Sequence, residues 1–520
     1  MAKNNSASTM AKNTMLLMLI SAIGVVLSFA KESIVAYFFG TSATVDAYVV
    51  AVDLPVSLFS LISMALSVVV IPNYTMLRTI ESEKAAARFF SNLATLLILV
   101  CCGILLILEL LGSLVIFIAA PGLAEETHAL ATKLFRIALP TSVLLLLIKA
   151  NTGVMNSHKS FALPALGDSA LSAVFMVTVA LLAVRFGIYA AVLGTLLGAV
   201  IELIYSSLLR RKYVKYRPHV DTKDPYVRKS VRMVIPVFIG NSIEEINKLV
   251  NKIIASSMNA GSISALHYAS KISSGVSNLL ITGISTVFYP EFAEKAAKND
   301  DKGMAQIYSA SVSLFLLIIL PLIFGGFFLK EEIVSIVYGR GAFDEESMAI
   351  TAPLLAGYLL ALLFTSVRQS STNFFNALGE TKTPVINSSI GIGINIVLNF
   401  ILAHFMGVIG LVVATVISSA ISAVLLLIAV KKRNSFVNYR HNLLLLVKGI
   451  GACLLMVAVL FGVRFLFGML LTDISSGMNL LLYTLSAVVL GAAAYAVGLI
   501  VLRVGEVRMI LDIIKNKKKR

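Results

Sequence analysis

The chain has 520 residues, of which 58% are hydrophobic and 13% charged, with a mean hydropathy of +0.92. That is far more apolar than a soluble globular domain, so the chain has to live in lipid. The formal charge of +16 does not mark a nucleic-acid binder, because Lys and Arg sit in loops between apolar runs and not in one patch.

The polar start, Met1 to Asn13, leads into a long apolar run that ends in Lys31 and Glu32 without a small-residue cleavage site, so it reads as a retained first span. Apolar runs then recur at 47–72, 89–119, 129–155, 162–185, 187–209, 229–257, 264–289, 305–329, 347–375, 384–405, 407–430, 443–468 and 478–503. Each is long enough to cross a hydrocarbon core of about 30 Å. With the first run at 14–38 this predicts fourteen transmembrane helices, an all-α polytopic membrane protein in which Arg185-Phe186-Gly187 makes the least secure split.

The loop from Arg210 to Lys229 and the cluster Lys431, Lys432, Arg433 are basic, and positive-inside bias puts both in the cytoplasm. The basic tail Lys515 to Arg520 then falls on that side, the loop Pro121 to His128 on the other, and both termini face the cytoplasm. Cys101, Cys102 and Cys453 lie inside apolar runs with no metal-ligand spacing; they read as small core residues, and no metal or cofactor is indicated.

The chain matches itself at an offset of about 220 residues: Ser67 and Pro72 with Ser285 and Pro290, Asn156 and Pro164 with Asn376 and Pro384, Gly187 with Gly407. This predicts a six-helix lobe over 1–216, a second over 217–436, and two additional helices with a basic tail over 437–520. Each half holds an even number of spans, so the halves insert in the same orientation, and a binding cavity is expected between them.

Ionisable side chains inside spans are expensive and usually face a bundle interior or a water-filled cavity. Spans one and two form a hairpin carrying Lys31 and Glu32 on one helix and Asp46 and Asp53 on the other, with Lys31 and Asp53 at similar depth. The register that pairs Pro72 with Pro290 also pairs Asp53 with Lys271, so the two halves would present opposite charges. Two roles fit these groups: contact with a ligand, or a structural Lys31–Asp53 or Lys271–Asp53 ion pair that closes one state. Glu244, Glu245, Lys248 and Lys252 repeat at helical spacing and read as pairs along one helix. Lys149, Asp168, Glu202 and Arg368 lie near span ends and are expected to snorkel, while Gly194 and Gly198 suggest close helix packing.

The stretch 28–40 (SFAKESIVAYFFG), followed by Val45 to Tyr48 and by Leu54-Pro55, resembles the opening of the MurJ/MviN family of lipid II flippases. The segments 265–271 (ALHYASK), 283–290 (GISTVFYP) and 379–384 (GETKTP) are similar to later parts of that family, and fourteen spans is its number. The resemblance implies two six-helix lobes plus a helix pair forming a groove for a lipid tail. It puts Lys31 and Lys271 where the family has arginines, and Asp46 where it has a functional aspartate. Val25 and Phe59 stand at two further cavity-arginine positions of Gram-negative members. Lysine is a point charge where arginine offers a fork, so another undecaprenyl-linked glycan is an open substrate.

The expected activity is alternating-access translocation of an undecaprenyl diphosphate-linked, lipid II-like peptidoglycan precursor across the bacterial cytoplasmic membrane. Substrate binding is assigned to Lys31, Lys271, Asp46 and Asp53, and coupling to a monovalent cation or proton to Glu32, Asp46 or Asp53. The expected partners are the lipid-linked precursor, membrane lipids and a cell-wall synthesis complex. A cation-coupled multidrug exporter is the alternative within transport. A membrane glycosyltransferase would want a sizeable extramembrane loop with acidic ligands, whereas Asp300-Asp301 lies in a Lys-rich turn that reads as solvated surface.

Overall fold

The computed structural model describes residue 20 and residues 23–471 and 477–505, so the expectations for Met1 to Asn13 and for the tail Lys515 to Arg520 lie outside the described residues. Among those described, every regular element is helical. In chain order these are α1 (23–39), α2 (Ala43–Ile80), α3 (Glu83–Leu110), α4 (Gly112–Ala119), α5 (Glu125–Ser157), α6 (Ala162–Phe186), α7 (Tyr189–Arg210) and α8 (Pro225–Ser256). There follow α9 (Ser262–Ser277), a π turn (Asn278–Thr282), α10 (Gly283–Ala297), α11 (Asp301–Phe328), α12 (Lys330–Tyr338), α13 (Glu345–Ala377), α14 (Lys382–Met406), α15 (Val408–Arg433), α16 (Arg440–Leu470) and α17 (Gly477–Val501). Twelve spans are long and apolar enough to cross a membrane among the described residues, α9 to α10 counting as one.

Two expected spans are not single helices. The run 89–119 breaks at Leu111, whose ψ of 8° leaves helical geometry, and the chain resumes as the short α4. The run 264–289 is interrupted by the π turn, where the helix takes up an extra residue. The doubtful split between α6 and α7 is real, because Gly187 sits at φ +56° and ends α6. Helix starts follow ordinary capping chemistry: the Asp224 side chain accepts from the N–H of Tyr226 and Val227 with Pro225 as the first helical residue, and Ser82 and Asp300 accept from Ala85 and Gly303. Asp300 therefore caps α11 and also pairs with Lys295 at 3.2 Å, a more specific role than solvated surface.

The internal repeat is visible in the backbone. α3 and α11 each have 28 residues, α5 and α13 each 33, α6 and α14 each 25. Gly187 and Gly407, matched in sequence, adopt φ +56°, ψ −142° and φ +59°, ψ −142°. Such an unusual conformation is seldom reached twice by accident at matched positions.

Helices cluster into two compact units, one of the residues up to Ser264 with Arg340–Asp344, the other of Ala265–Gly339 with Glu345 onward. In the first, α2 packs along α5 and α8, α5 also meets α7, and α6 lies against α7. Its core includes Phe59, Tyr74, Phe89, Phe90, Leu146 and Val154. In the second, α11 packs on α13 and α16, α13 on α15, and α16 on α17, around Tyr308, Phe374, Phe375, Met456 and Tyr483. Cys101 and Cys453 are buried as expected; Cys102 is exposed, because it lies on the next face of the same helix.

One junction in the first unit responds to pH. The Arg78 guanidinium donates to Nδ1 of His158 at 2.7 Å, so Nδ1 must be unprotonated, and Nε2 is left to donate to the Tyr74 hydroxyl at 3.2 Å. The ring stacks on Tyr213 at 4.3 Å, tying the ends of α2 and α5 to the segment after α7. Burial, then the Arg78 charge, hold the His158 pKa below its ordinary value. The folded state thus prefers neutral imidazole, and the stability it contributes is full above the ordinary histidine pKa and lost as the pH falls below it. Lowering the pH from about 7 to about 5 should therefore depress the thermal midpoint of the wild-type protein more than that of His158→Gln; equal depression would rule this junction out.

Candidate functional site

The first two helices turn at Gly40, which sits at φ +58° with the Ala342 carbonyl so close that a Cβ would stand 2.3 Å from it. The Ala342 N–H donates to the Tyr37 carbonyl at 2.8 Å, so the turn is held by backbone of its own unit. From that turn Lys31 lies about 14 Å down α1, and Asp53 at a comparable depth down α2.

The Lys31 ammonium sits 4.6 Å from the centroid of the Phe175 ring in α6. That ring is positioned by the GxxxG of α7: a Cβ on Gly194 would come within 3.2 Å of Phe175, and one on Gly198 within 2.9 Å of the Leu171 carbonyl. The small residues do mediate close packing, and they bring an aromatic face under a cation. Glu32, the next residue, is buried.

Asp46 is only 3% exposed and both its oxygens are taken. Oδ2 accepts the Gly261 N–H and Oδ1 the Ser264 N–H, each at 2.7 Å, so the carboxylate caps the first turn of α9. That geometry suits a negative charge at a helix N-terminus. Asp53 forms an ion pair with Lys252 of α8 at 3.1 Å. Of Glu244, Glu245, Lys248 and Lys252, whose spacing reads as pairs along one helix, Lys248–Glu245, at 2.7 Å, fits that description among the described residues. Lys252 is the residue of this site that sequence reasoning missed. Its helical spacing was seen, but spacing along one helix carries no record of a partner 199 residues away.

Lys271 is half-buried on α9 in the second unit, seven residues before the π turn. α2 is a continuous helix with no such turn, so the register from Pro290 back to Lys271 contains one extra residue of winding. Asp53 and Lys271 correspond by residue count, but the π turn shifts the helical phase of Lys271 relative to Pro290 by roughly 100°.

The groups expected to snorkel do not all do so. Lys149 and Asp168 pair at 3.7 Å between α5 and α6, and Glu202 is buried against Gly167. Arg368 donates to the Ser388 hydroxyl at 3.1 Å. Phe59 is 3% exposed in the first unit's core and Val25 is half-buried on α1. Among the described residues no group of His, Cys, Asp and Glu could hold a metal ion.

The second unit contains an apolar cavity of about 660 Å³. Leu279 of the π turn, Pro321 and Gly325 of α11, Met456 of α16, and Gly491 and Tyr495 of α17 are among its walls. Glycines at 325 and 491 leave room that larger side chains would fill, and the lining offers hydrocarbon almost throughout. Such a space accepts an alkyl chain and rejects a hydrated head group.

Compared with known proteins, the chain is 28% identical over 413 residues to a probable lipid II flippase MurJ of Rickettsia prowazekii (strain Madrid E), covering 78% of this chain and 80% of that protein. A solved lipid II flippase MurJ in an inward closed conformation superposes with a TM-score of 0.79 at 24% identity, covering 94% of this chain and 99% of that one. An inward-facing multidrug resistance MATE transporter of the MOP superfamily superposes with a TM-score of 0.70 at 13% identity, covering 81% of this chain and 98% of its own length. The model of one family, described as lipid II flippase MurJ, matches residues 35–502, and the chain therefore belongs to that family of multi-pass membrane proteins.

Proposed function

We propose that this protein translocates a lipid-linked peptidoglycan precursor of the lipid II type, built on undecaprenyl diphosphate, across the bacterial cytoplasmic membrane by alternating access, acting as a transporter and not as an enzyme. The observation that carries the reading is the apolar cavity walled by α16 and α17, in a chain that matches the family along most of its length. The MATE transporter is matched nearly entire by about four-fifths of this chain, so a drug exporter's architecture leaves residues to spare. A helix pair with an alkyl-sized space beside it suits a substrate whose tail stays in lipid while its head group crosses.

In this reading 1–216 and 217–436 are the alternating lobes and 437–520 the tail-binding addition, with both termini in the cytoplasm. Lys31 and Lys271 supply cations to the pyrophosphate. Asp53, paired with Lys252, and buried Glu32 are the groups whose charge a proton or monovalent cation would modulate. Asp46 holds the turn between α8 and α9 in place, and its contribution to substrate handling is through that turn.

The test is growth of a strain depleted of its own lipid II flippase when this chain is expressed in it. Rescue is the expected result. Failure of rescue, together with rescue of a strain lacking a capsule or spore-wall flippase, would transfer the assignment to another undecaprenyl-linked glycan.

A further inference from the structure

Arg210 closes α7 and continues into the basic segment Arg211, Lys212, Lys215, Arg217, yet it is only 7% exposed. Its guanidinium carbon lies 5.1 Å from the Phe90 ring and 5.8 Å from the Tyr216 ring. Among the described residues no carboxylate pairs with it, and its Nε is buried without a hydrogen-bond partner. A guanidinium in that position gains from an anion, since ring faces satisfy only part of its charge and leave the buried Nε–H without an acceptor.

The guanidinium borders a cavity of about 170 Å³ between α3, α5 and α7. Phe90, Ile98, Leu147 and Leu203 make its walls apolar, with Asn151 and Ser207 as the polar exceptions. Asn151 donates to the Ser207 hydroxyl at 3.2 Å, so that oxygen already accepts and its own O–H remains to be given away. Tyr216 is kept over the guanidinium by the segment after α7, which is pinned to α3. Asn92 bonds Asp221 through both its amide atoms, at 2.8 and 2.9 Å, and the Tyr216 hydroxyl meets Thr95 at 2.9 Å.

We propose that this cavity binds the phosphate-bearing end of an anionic membrane lipid, with the phosphate on Arg210 and Ser207 and the first part of an acyl chain along Ile98, Leu147 and Leu203. A free phosphate ion is the poorer occupant: it would have to exchange its hydration shell for two donors and a hydrocarbon wall. An amphiphile uses both halves of the lining. The site lies where a span ends at a basic segment, the usual place for anionic head groups between transmembrane helices. It lies in the first unit, whereas the large apolar cavity lies in the second, so it is a separate lipid site from the one assigned to the substrate's tail.

The chain has no tryptophan, so Ile204→Trp, at an exposed position of α7 next to Leu203, gives a single tryptophan beside the cavity without filling it. The full-length variant is reconstituted in vesicles containing either brominated phosphatidylglycerol or brominated phosphatidylcholine, in high salt so that the exposed basic segment is screened. The anionic quencher should be preferred about fivefold, the factor for roughly one favourable charge at such a surface. Adding Arg210→Met should bring the preference to about one, and millimolar inorganic phosphate should leave it unchanged. If Arg210→Met does not reconstitute, Leu203→Phe, which narrows the cavity and keeps the guanidinium, should bring the preference below about twofold. Equal quenching by both lipids in Ile204→Trp overturns the proposal, as does a preference undiminished by these second substitutions; loss of the preference to inorganic phosphate would mean a free-anion site instead.

Discussion

Replacing Lys31 and Lys271 together by alanine is expected to lower translocation of a lipid-linked precursor in proteoliposomes by at least about a hundredfold, with the protein still monodisperse. A hydrogen bond to a charged group is worth about 1.5–3 kcal/mol, so if the two lysines hold the pyrophosphate as proposed, removing both ammonium contacts takes away about 3–6 kcal/mol. The lower end of that range is already more than a factor of a hundred. Lys31→Arg with Lys271→Arg provides the control, since a guanidinium keeps the charge and adds a fork that matches phosphate oxygens. The arginine pair should retain or exceed wild-type transport. If the alanine pair retains more than about a tenth of wild-type rate, a deficit far below two such contacts, these lysines do not hold the head group. Because Lys31 lies over the Phe175 ring, a small loss of stability is expected from that substitution alone, and it should appear in the thermal midpoint and not in the substrate dependence.

Asp46→Ala is expected to produce the larger loss of stability. Its carboxylate accepts two backbone N–H groups that water does not reach, joining residues more than 200 positions apart in the chain. Removing it strands both donors and the first turn of α9, at about 3 kcal/mol or more by the usual value for charge-assisted bonds and caps. Asp46→Asn is only a partial remedy, because its amide accepts one N–H and turns a donor toward the other. The readouts are the thermal midpoint in detergent and transport in vesicles. A variant that keeps the wild-type midpoint while losing transport would show that Asp46 acts on the substrate or a coupling ion directly and not through the α8–α9 turn.

Much of the architecture was legible without coordinates because it is written in local terms. Runs of apolar residues long enough for a bilayer have to be helical, since lipid offers backbone groups no other partner. Gly187 and Gly407 mark helix ends because they take up a left-handed conformation, and the matched prolines and asparagines revealed a repeat that helix lengths of 28, 33 and 25 residues then reproduce. The break at Leu111 and the π turn at Asn278–Thr282 are each followed by a glycine, Gly112 and Gly283, but neither takes a positive φ, so glycine there does not set a helix end apart from a glycine inside a helix.

The sequence by itself determined that this is an all-helical membrane protein of a flippase family, with a duplicated body, an added helix pair, and a short roster of charges that lipid would not tolerate without a role. Only the tertiary structure decided what each charge touches. Asp53 takes Lys252, Asp46 caps a distant helix, Lys31 rests on an aromatic ring, and Arg210, outwardly one more residue of a basic loop, turns inward to a cavity. The physical reason is that hydropathy and helix formation are satisfied within a few turns of chain, whereas a buried charge is settled by partners that packing brings from far away in sequence.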